Sequence, residues 1–285
     1  MFASLVIAGA IAAAGPASVA DWRTACAGKD GWSDPAPPLR IFGNVHDVGT
    51  CGITVLLITS PRGHVLLDGA TAEAAPAIAA NIERLGFRLR DVELIGASHE
   101  HLDHAGGIAE LQRRSGATVM ALPAAFNALE TGIVDPGDPQ AGLHPAFPGA
   151  KVGRMLADRQ VVRLGPLRLT AHATPGHSPG STSWTWRSCE GRRCLRIVYA
   201  DSLTAVSSEA YRFTAHRRYV AAFRASIDRV GRLGCDLLIT PHPGASRLID
   251  RLAGKGLLVD PGACRAYAGL AAQALDERFG REQPR

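Results

Sequence analysis

The stretch Ser98-His99-Glu100-His101-Leu102-Asp103-His104 decides how this chain is read. Three imidazoles and the Asp103 carboxylate fall within the six residues from His99 to His104. Upstream, Val92–Ser98 is an apolar run that reads as a buried strand. Downstream, Ala105–Arg114 reads as a helix that stops near Gly116. The cluster therefore sits on a strand-to-helix turn. In extended backbone His99 and His101 point the same way, because side chains alternate with period two. Entry into the helix then turns Asp103 and His104 towards a second position. Zinc takes His nitrogen and Asp oxygen in roughly tetrahedral geometry and keeps an open position in catalytic sites. The spacing suits two metals rather than one.

Two further histidines lie at the ends of expected strands. His177 stands in the Gly/Pro turn of ATPGHSPGST, and His242 follows the apolar run CDLLIT in TPHPG. With the cluster they complete six ligands: His99, His101, Asp103, His104, His177 and His242. His46, His64, His144, His172 and His216 carry no spacing that argues for ligation.

Around these points the elements alternate in a recognisable order. Gly52–Ser60 and Gly63–Asp68 flank the turn SPRG and read as a hairpin. Ala72–Leu85 carries Ile78, Ile82 and Leu85 at helical spacing, Ala117–Ala121 reads as a strand, and Pro123–Glu130 as a short helix. Gly132–Gly149 holds four prolines and four glycines without periodicity, a length of loop that tends to be functional. The second half gives strands at Gln160–Leu164, Leu167–Ala173, Ser181–Arg187 and Leu195–Ala200. A helix follows with Val220, Phe223, Ile227 and Val230 on one face, then a strand at Asp236–Thr240. Helices around Ser246–Lys255 and Ala263–Phe279 close the chain. Each half runs strands first and helix later. An α/β sandwich follows, with two mixed sheets face to face and helices outside. Neither a tandem repeat nor a linker divides it, so residues 21–285 are expected to form one catalytic domain.

Composition is globular: 285 residues, 46% hydrophobic and 20% charged, which excludes intrinsic disorder. The net charge of +5 is scattered in pairs such as Arg113-Arg114, Arg192-Arg193 and Arg217-Arg218. No basic stripe suggests a nucleic-acid groove. Residues 1–20 are uncharged, with an apolar core from Leu5 to Ala14 and small residues at Ser18-Val19-Ala20. They read as a secretory signal cut before Asp21, although no Lys or Arg precedes the apolar core. A soluble periplasmic protein without a membrane anchor in its mature form is expected. Six cysteines, Cys26, Cys51, Cys189, Cys194, Cys235 and Cys264, fit disulfides in that compartment. Only Cys189 and Cys194, separated by the turn-like EGRR, suggest a partner by position. The absence of Cys-x-x-Cys weakens a redox or zinc-ribbon reading.

The order HxHxDH, PGHS and a strand ending in His resembles the metallo-β-lactamase superfamily. The segments IFGNVHDVGTCG, HVLLDGAT, SHEHLDHAGGIAEL, HATPGHSPGSTSWTW, VYADSLTAVS and PHP resemble subclass B3 of its β-lactamases over nearly all of residues 21–285. That resemblance implies one zinc on His99, His101 and His177 and a second on Asp103, His104 and His242. It implies the pairs Cys26–Cys51, Cys189–Cys194 and Cys235–Cys264, and it gives Ser202 and Thr204 the substrate carboxylate. Asp68 resembles a residue that orients a ligand, while Glu100, inside the motif, is expected to point away from the metals. The implied activity is hydrolysis of the β-lactam amide of penicillins, cephalosporins and carbapenems by a metal-bound hydroxide, and hence antibiotic resistance. In it Asp103 orients the nucleophile, and the zinc it holds stabilises the departing nitrogen. A monomer acting on a small molecule is expected. The alternative is an exported thioester or lactone hydrolase of the same superfamily, similar to glyoxalase II or to acyl-homoserine lactonases. Those enzymes bridge their metals with a carboxylate, and Asp201 stands next to Ser202.

Overall fold

The computed structural model describes residues 15–282, and their strands form two mixed sheets. The first contains β1 (Leu39–Phe42), β2 (Val45–Asp47), β3 (Leu56–Ile58), β4 (His64–Leu67), β5 (Val92–Gly96), β6 (Thr118–Ala121) and β7 (Val152–Met155), side by side in chain order. Pairing is antiparallel from β1 to β4 and parallel from β4 to β7. The second sheet runs β12 (Leu237–Ile239), β11 (Arg193–Tyr199), β10 (Thr182–Glu190), β9 (Leu167–Ala173), β8 (Val161–Leu164), and only β11 and β12 are parallel.

Period-two alternation explains why these short strands make a four-layer molecule. Leu56, Ile58, Val65 and Leu67 face inward and meet Trp184, Ile197, Tyr199, Leu237 and Ile239 of the other sheet. Their neighbours Leu57 and Leu66 face outward, onto Ile78 and Ile82 of α2 (Ala75–Arg84) and Ile108 and Leu111 of α4 (Ile108–Ser115). On the far side Val198 and Leu238 meet Val220, Phe223, Ile227 and Val230 of α6 (Arg217–Arg232) and Leu275 of α8 (Ala263–Glu282). Helices outside and sheets inside are what the alternation of strands and helices predicts. This is the metallo-β-lactamase fold.

Several elements lie outside the sequence expectation. β1 and β2 form a hairpin about Gly43-Asn44, with Gly43 at φ 56, directly after the Pro-rich lead. β7 is an edge strand whose Gly153 and Arg154 dilute any apolar pattern. The expected helix over Ser246–Lys255 shrinks to α7 (Leu248–Leu252). An unanticipated helix, α1 (Val19–Ala25), starts with a capping box between Ser18 and Asp21, so the expected cut before Asp21 falls in its first turn. Residues 1–14 of the expected signal lie outside the described residues. Among the described residues no helix is long and apolar enough to cross a membrane.

All three implied disulfides form. Cys26–Cys51 ties α1 to the loop before β3, Cys189–Cys194 closes the β10–β11 hairpin, and Cys235–Cys264 joins the approach to β12 to α8. At the seam between the sheets Trp184 donates its indole N–H to Ala97 O at 3.1 Å, just before the histidine cluster. Its ring lies so close to Gly96 that a Cβ there would collide with it. Trp184→Ala should therefore cost about 3–5 kcal/mol, seen as a lowered urea midpoint. Leu257→Ala, at a side chain 73% exposed, should shift stability by less than about 0.5 kcal/mol. Equal midpoints for the two variants would contradict the packing described.

Candidate metal centre

The parallel strand β5 delivers His99 just past its C-terminal end. The segment is pinned where it leaves the sheet, because Thr182 N–H donates to Ser98 O at 2.6 Å. His101 holds extended backbone, φ −82 and ψ 158, at the cap of a short helix, α3 (Leu102–Ala105). That short helix, separate from the one expected over Ala105–Arg114, turns Asp103 and His104 away from His101. Close approach to the loop after β4 requires Gly107, where a Cβ would collide with Gly69 O. His177 comes from the β9–β10 turn, which is closed by Thr174 N–H donating to Ser181 O at 2.8 Å. His242 follows β12 and is the most open of the six, its side chain 38% exposed.

Two groups result. The rings of His99, His101 and His177 stand with centroids 4.7–5.0 Å apart, and one ligand atom from each lies within 4.8 Å of the others. In the second group His104 Nε2 is 3.1 Å from Asp103 Oδ2 and 3.3 Å from His242 Nε2, and Asp103 Oδ2 is 3.4 Å from His242 Nε2. His99 also lies within 4.8 Å of Asp103 and His104, so the groups share a boundary.

Each ring is held from behind. His99 Nδ1 donates to Asp201 Oδ1 at 2.8 Å, His101 Nε2 to Asp138 Oδ2 at 3.0 Å, and His104 Nδ1 to Asp68 Oδ2 at 3.0 Å. His177 Nδ1 lies 3.0 Å from Thr204 O and 2.9 Å from Thr204 Oγ1, and His242 Nδ1 donates to Gly52 O at 3.2 Å. The opposite nitrogen of every ring faces the centre, and His99 Nε2 is buried with no partner among the described residues. A buried, orphaned acceptor costs free energy unless something binds it. The donor set therefore fits a metal, and its nitrogen and carboxylate composition fits zinc.

The electrostatics agree. Burial holds the pKa values of His99 and His177 well below the ordinary imidazole value, helped by the neighbouring imidazoles, so both offer lone pairs. Burial alone would raise the Asp103 pKa, but His104 and His242 outweigh it and keep the carboxylate ionised. His104 is pushed up to about 10, because Asp103 and Asp68 overcome its own burial. Burial lifts Asp201 to about 6 and Glu100 to about 7.

Glu100 points away from the centre, as expected. Its carboxylate accepts from Ser178 Oγ and from Gly180 N–H, both at 2.7 Å, tying the motif to the turn that carries His177. Asp68 orients His104, also as expected. Ser202 is buried beside Asp201, while Thr204 is exposed and its hydroxyl touches His177. Asp201 joins neither ligand group; its bond is to the Nδ1 side of His99. The remaining five histidines join neither group: His46 and His64 lie against Phe87, His172 on Thr185 and His216 on Tyr211, while His144 lies against Trp32 and lines the cavity beside His101.

Three contributors carry no spacing signal. Asp138 and Gln140 come from the Gly132–Gly149 loop, whose length alone marked it as functional, and the Gln140 amide nitrogen lies 3.4 Å from His101 Nδ1 and 3.2 Å from His177 Nε2. Tyr199 reaches Asp68 across the seam.

Comparison with known proteins agrees with the fold and the motif. Residues 48–191 match the family model of the metallo-beta-lactamase superfamily. A hydroxyacylglutathione hydrolase of Anaeromyxobacter dehalogenans (strain 2CP-C) is 35% identical over 215 residues, 75% of this chain and 69% of that protein. Another, of Rhodopseudomonas palustris (strain BisB5), is 31% identical over 137 residues. There the match spans 45% of this chain and less than half, 44%, of the relative. The solved structure of the metallo-β-lactamase MIM-1 from Novosphingobium pentaromativorans is similar at 49% identity and a TM-score of 0.90, covering 92% of this chain and 97% of that one. MEM-A1, a subclass B3 metallo-β-lactamase from a soil metagenome library, gives 44% identity and a TM-score of 0.85 over 88% of this chain and 98% of that one. The chain belongs to the metallo-β-lactamase superfamily, with subclass B3 enzymes among its structural neighbours.

Proposed function

We propose that this chain is an exported di-zinc β-lactamase that opens the lactam amide of penicillins, cephalosporins and carbapenems, and so confers resistance. His99 Nε2, His101 Nδ1 and His177 Nε2 would hold one zinc; Asp103, His104 Nε2 and His242 Nε2 would hold the other. Bound there, two zinc ions lower the pKa of water to about 7 and polarise a carbonyl oxygen. The chain's own residues do the rest. Asp103, kept ionised, orients the attacking water through its carboxylate. Thr204 Oγ accepts from His177 Nδ1–H and keeps its own proton to donate outward, to a substrate carboxylate. The Ser202 hydroxyl has no hydrogen bond among the described residues and is available to the same anion. The loop over Gly132–Gly149 lines a cavity of about 150 Å³ with Ile133, Pro145 and Phe147 beside His101, a wall for an apolar substituent.

The observation that carries this reading over the thioester or lactone alternative is the Asp201–His99 bond at 2.8 Å. Asp201 Oδ1 is committed to the Nδ1 side of a ligand ring, which places it behind that ring, while Oδ2 is buried with no partner among the described residues. Likeness to solved β-lactamases over 92% of the chain at 49% identity supports it. The hydroxyacylglutathione hydrolases among the relatives keep the alternative in the test. The disulfides fit an oxidising compartment, hence export.

Purified protein should open a carbapenem with loss of its lactam absorbance, lose that activity to a chelator and regain it with zinc. S-lactoylglutathione and an acyl-homoserine lactone should turn over far more slowly. Turnover of either in place of lactams would overturn the proposal. Asp103→Asn should keep the fold while weakening the second zinc and turnover together, by at least the roughly 10–100-fold that losing a residue behind a ligand costs; unchanged carbapenem hydrolysis would remove its role. Ser202→Ala should raise KM with little change in kcat, and the reverse pattern would argue against an anion contact.

A further inference from the structure

Asp138 occupies a position that a loop anchor alone does not need. It lies in the otherwise irregular segment between α5 (Phe126–Thr131) and β7, yet it is fully buried. Its two oxygens serve different masters. Oδ1 accepts Gln140 N–H at 2.7 Å and shapes its own loop, while Oδ2 accepts from His101 Nε2 at 3.0 Å. The same loop holds a natural comparison in Asp135. That residue accepts Gly137 N–H at 2.7 Å to make the same kind of turn, but it is exposed and touches no imidazole. The turn contact therefore does not require burial, whereas the contact to His101 does. Pro139 O then accepts from Ser208 N–H at 2.8 Å, fixing the loop to the segment that follows Ser202 and Thr204.

We propose that Asp138 is a positioning residue that holds His101 with Nε2 protonated and Nδ1 free for metal, so that the loop walling the site also sets the affinity of the first metal. This rests on the zinc reading above. A carboxylate behind a ligating imidazole fixes its tautomer and ring orientation and raises its basicity, and removing one typically costs about 10–100-fold in metal affinity. Asp68 and Asp201 do this from the ends of sheet strands; Asp138 does it from the substrate-facing loop. Changes in that loop would then alter metal loading as well as the shape of the pocket.

The test is zinc affinity of the full chain, by competition with a chromophoric chelator, for the parent, Asp138→Ala, Asp138→Asn and Asp135→Ala. Near-ultraviolet circular dichroism checks that each is folded. One of the two zinc equivalents should weaken about 10–100-fold in Asp138→Ala and less in Asp138→Asn, which keeps an acceptor oxygen. Asp135→Ala, which disturbs only the loop's own turn, should bind both equivalents as the parent does. Parent-like affinity in both Asp138 variants would overturn the proposal, and so would an equal loss in Asp135→Ala. A parent that binds no zinc would instead bring down the zinc reading itself. Zinc titration needs no lactam turnover, so a wrong substrate class would leave this result standing.

Discussion

The Asp68 carboxylate is the contact on which the rest of the site depends. It is wholly buried at the end of β4 and accepts from Ser98 N–H, Ser98 Oγ, His104 Nδ1 and Tyr199 Oη. Ser98 and His104 bracket the metal motif, while Tyr199 belongs to the opposite sheet. One side chain thus joins both sheets to the ligand loop. Its backbone sits in the left-handed region at φ 71, a conformation that costs of order 1 kcal/mol or more for a residue other than glycine. Hydrogen bonds to a charged acceptor contribute about 1.5–3 kcal/mol each, enough to hold that backbone where it is.

The same arrangement recurs around the centre. Five imidazoles take acceptors from four segments: Asp201 and Thr204 from one, then Asp138, Asp68 and the Gly52 carbonyl. Each acceptor chooses the tautomer of its ring and aims the other nitrogen inward. Protons and metal then compete for the same nitrogens, most directly at His104, whose pKa of about 10 reflects Asp103 and Asp68. Metal binding there must release a proton, so affinity weakens as pH falls.

The ligands were legible because metal coordination forces unusual residues into short spacing, as His99 to His104 show. The sandwich was legible because each half runs strands first and helix later, and because Leu56–Ile58 and Ile197–Tyr199 are apolar at every position, as strands covered on both faces are. Asp68, the last residue of LLD, was singled out through the family resemblance. Asp138, Gln140 and Tyr199 could not, since a single acid, amide or phenol reached through tertiary folding leaves no pattern in the chain. β1, β2 and β7 escaped because polar residues and glycine interrupt their short runs: Arg40 in β1, His46 and Asp47 in β2, Gly153 and Arg154 in β7. The disulfide pairing came from resemblance, because spacing alone favoured only Cys189 with Cys194.

The most direct measurement is a crystal structure of the zinc-loaded protein with anomalous data at the zinc edge. Two peaks about 3.5–4 Å apart are expected, one on His99, His101 and His177, the other on Asp103, His104 and His242. Asp201 should remain on His99 Nδ1, outside both coordination shells. A carboxylate oxygen of Asp201 bridging the two peaks would contradict the account and move the chain to the thioester or lactone hydrolases.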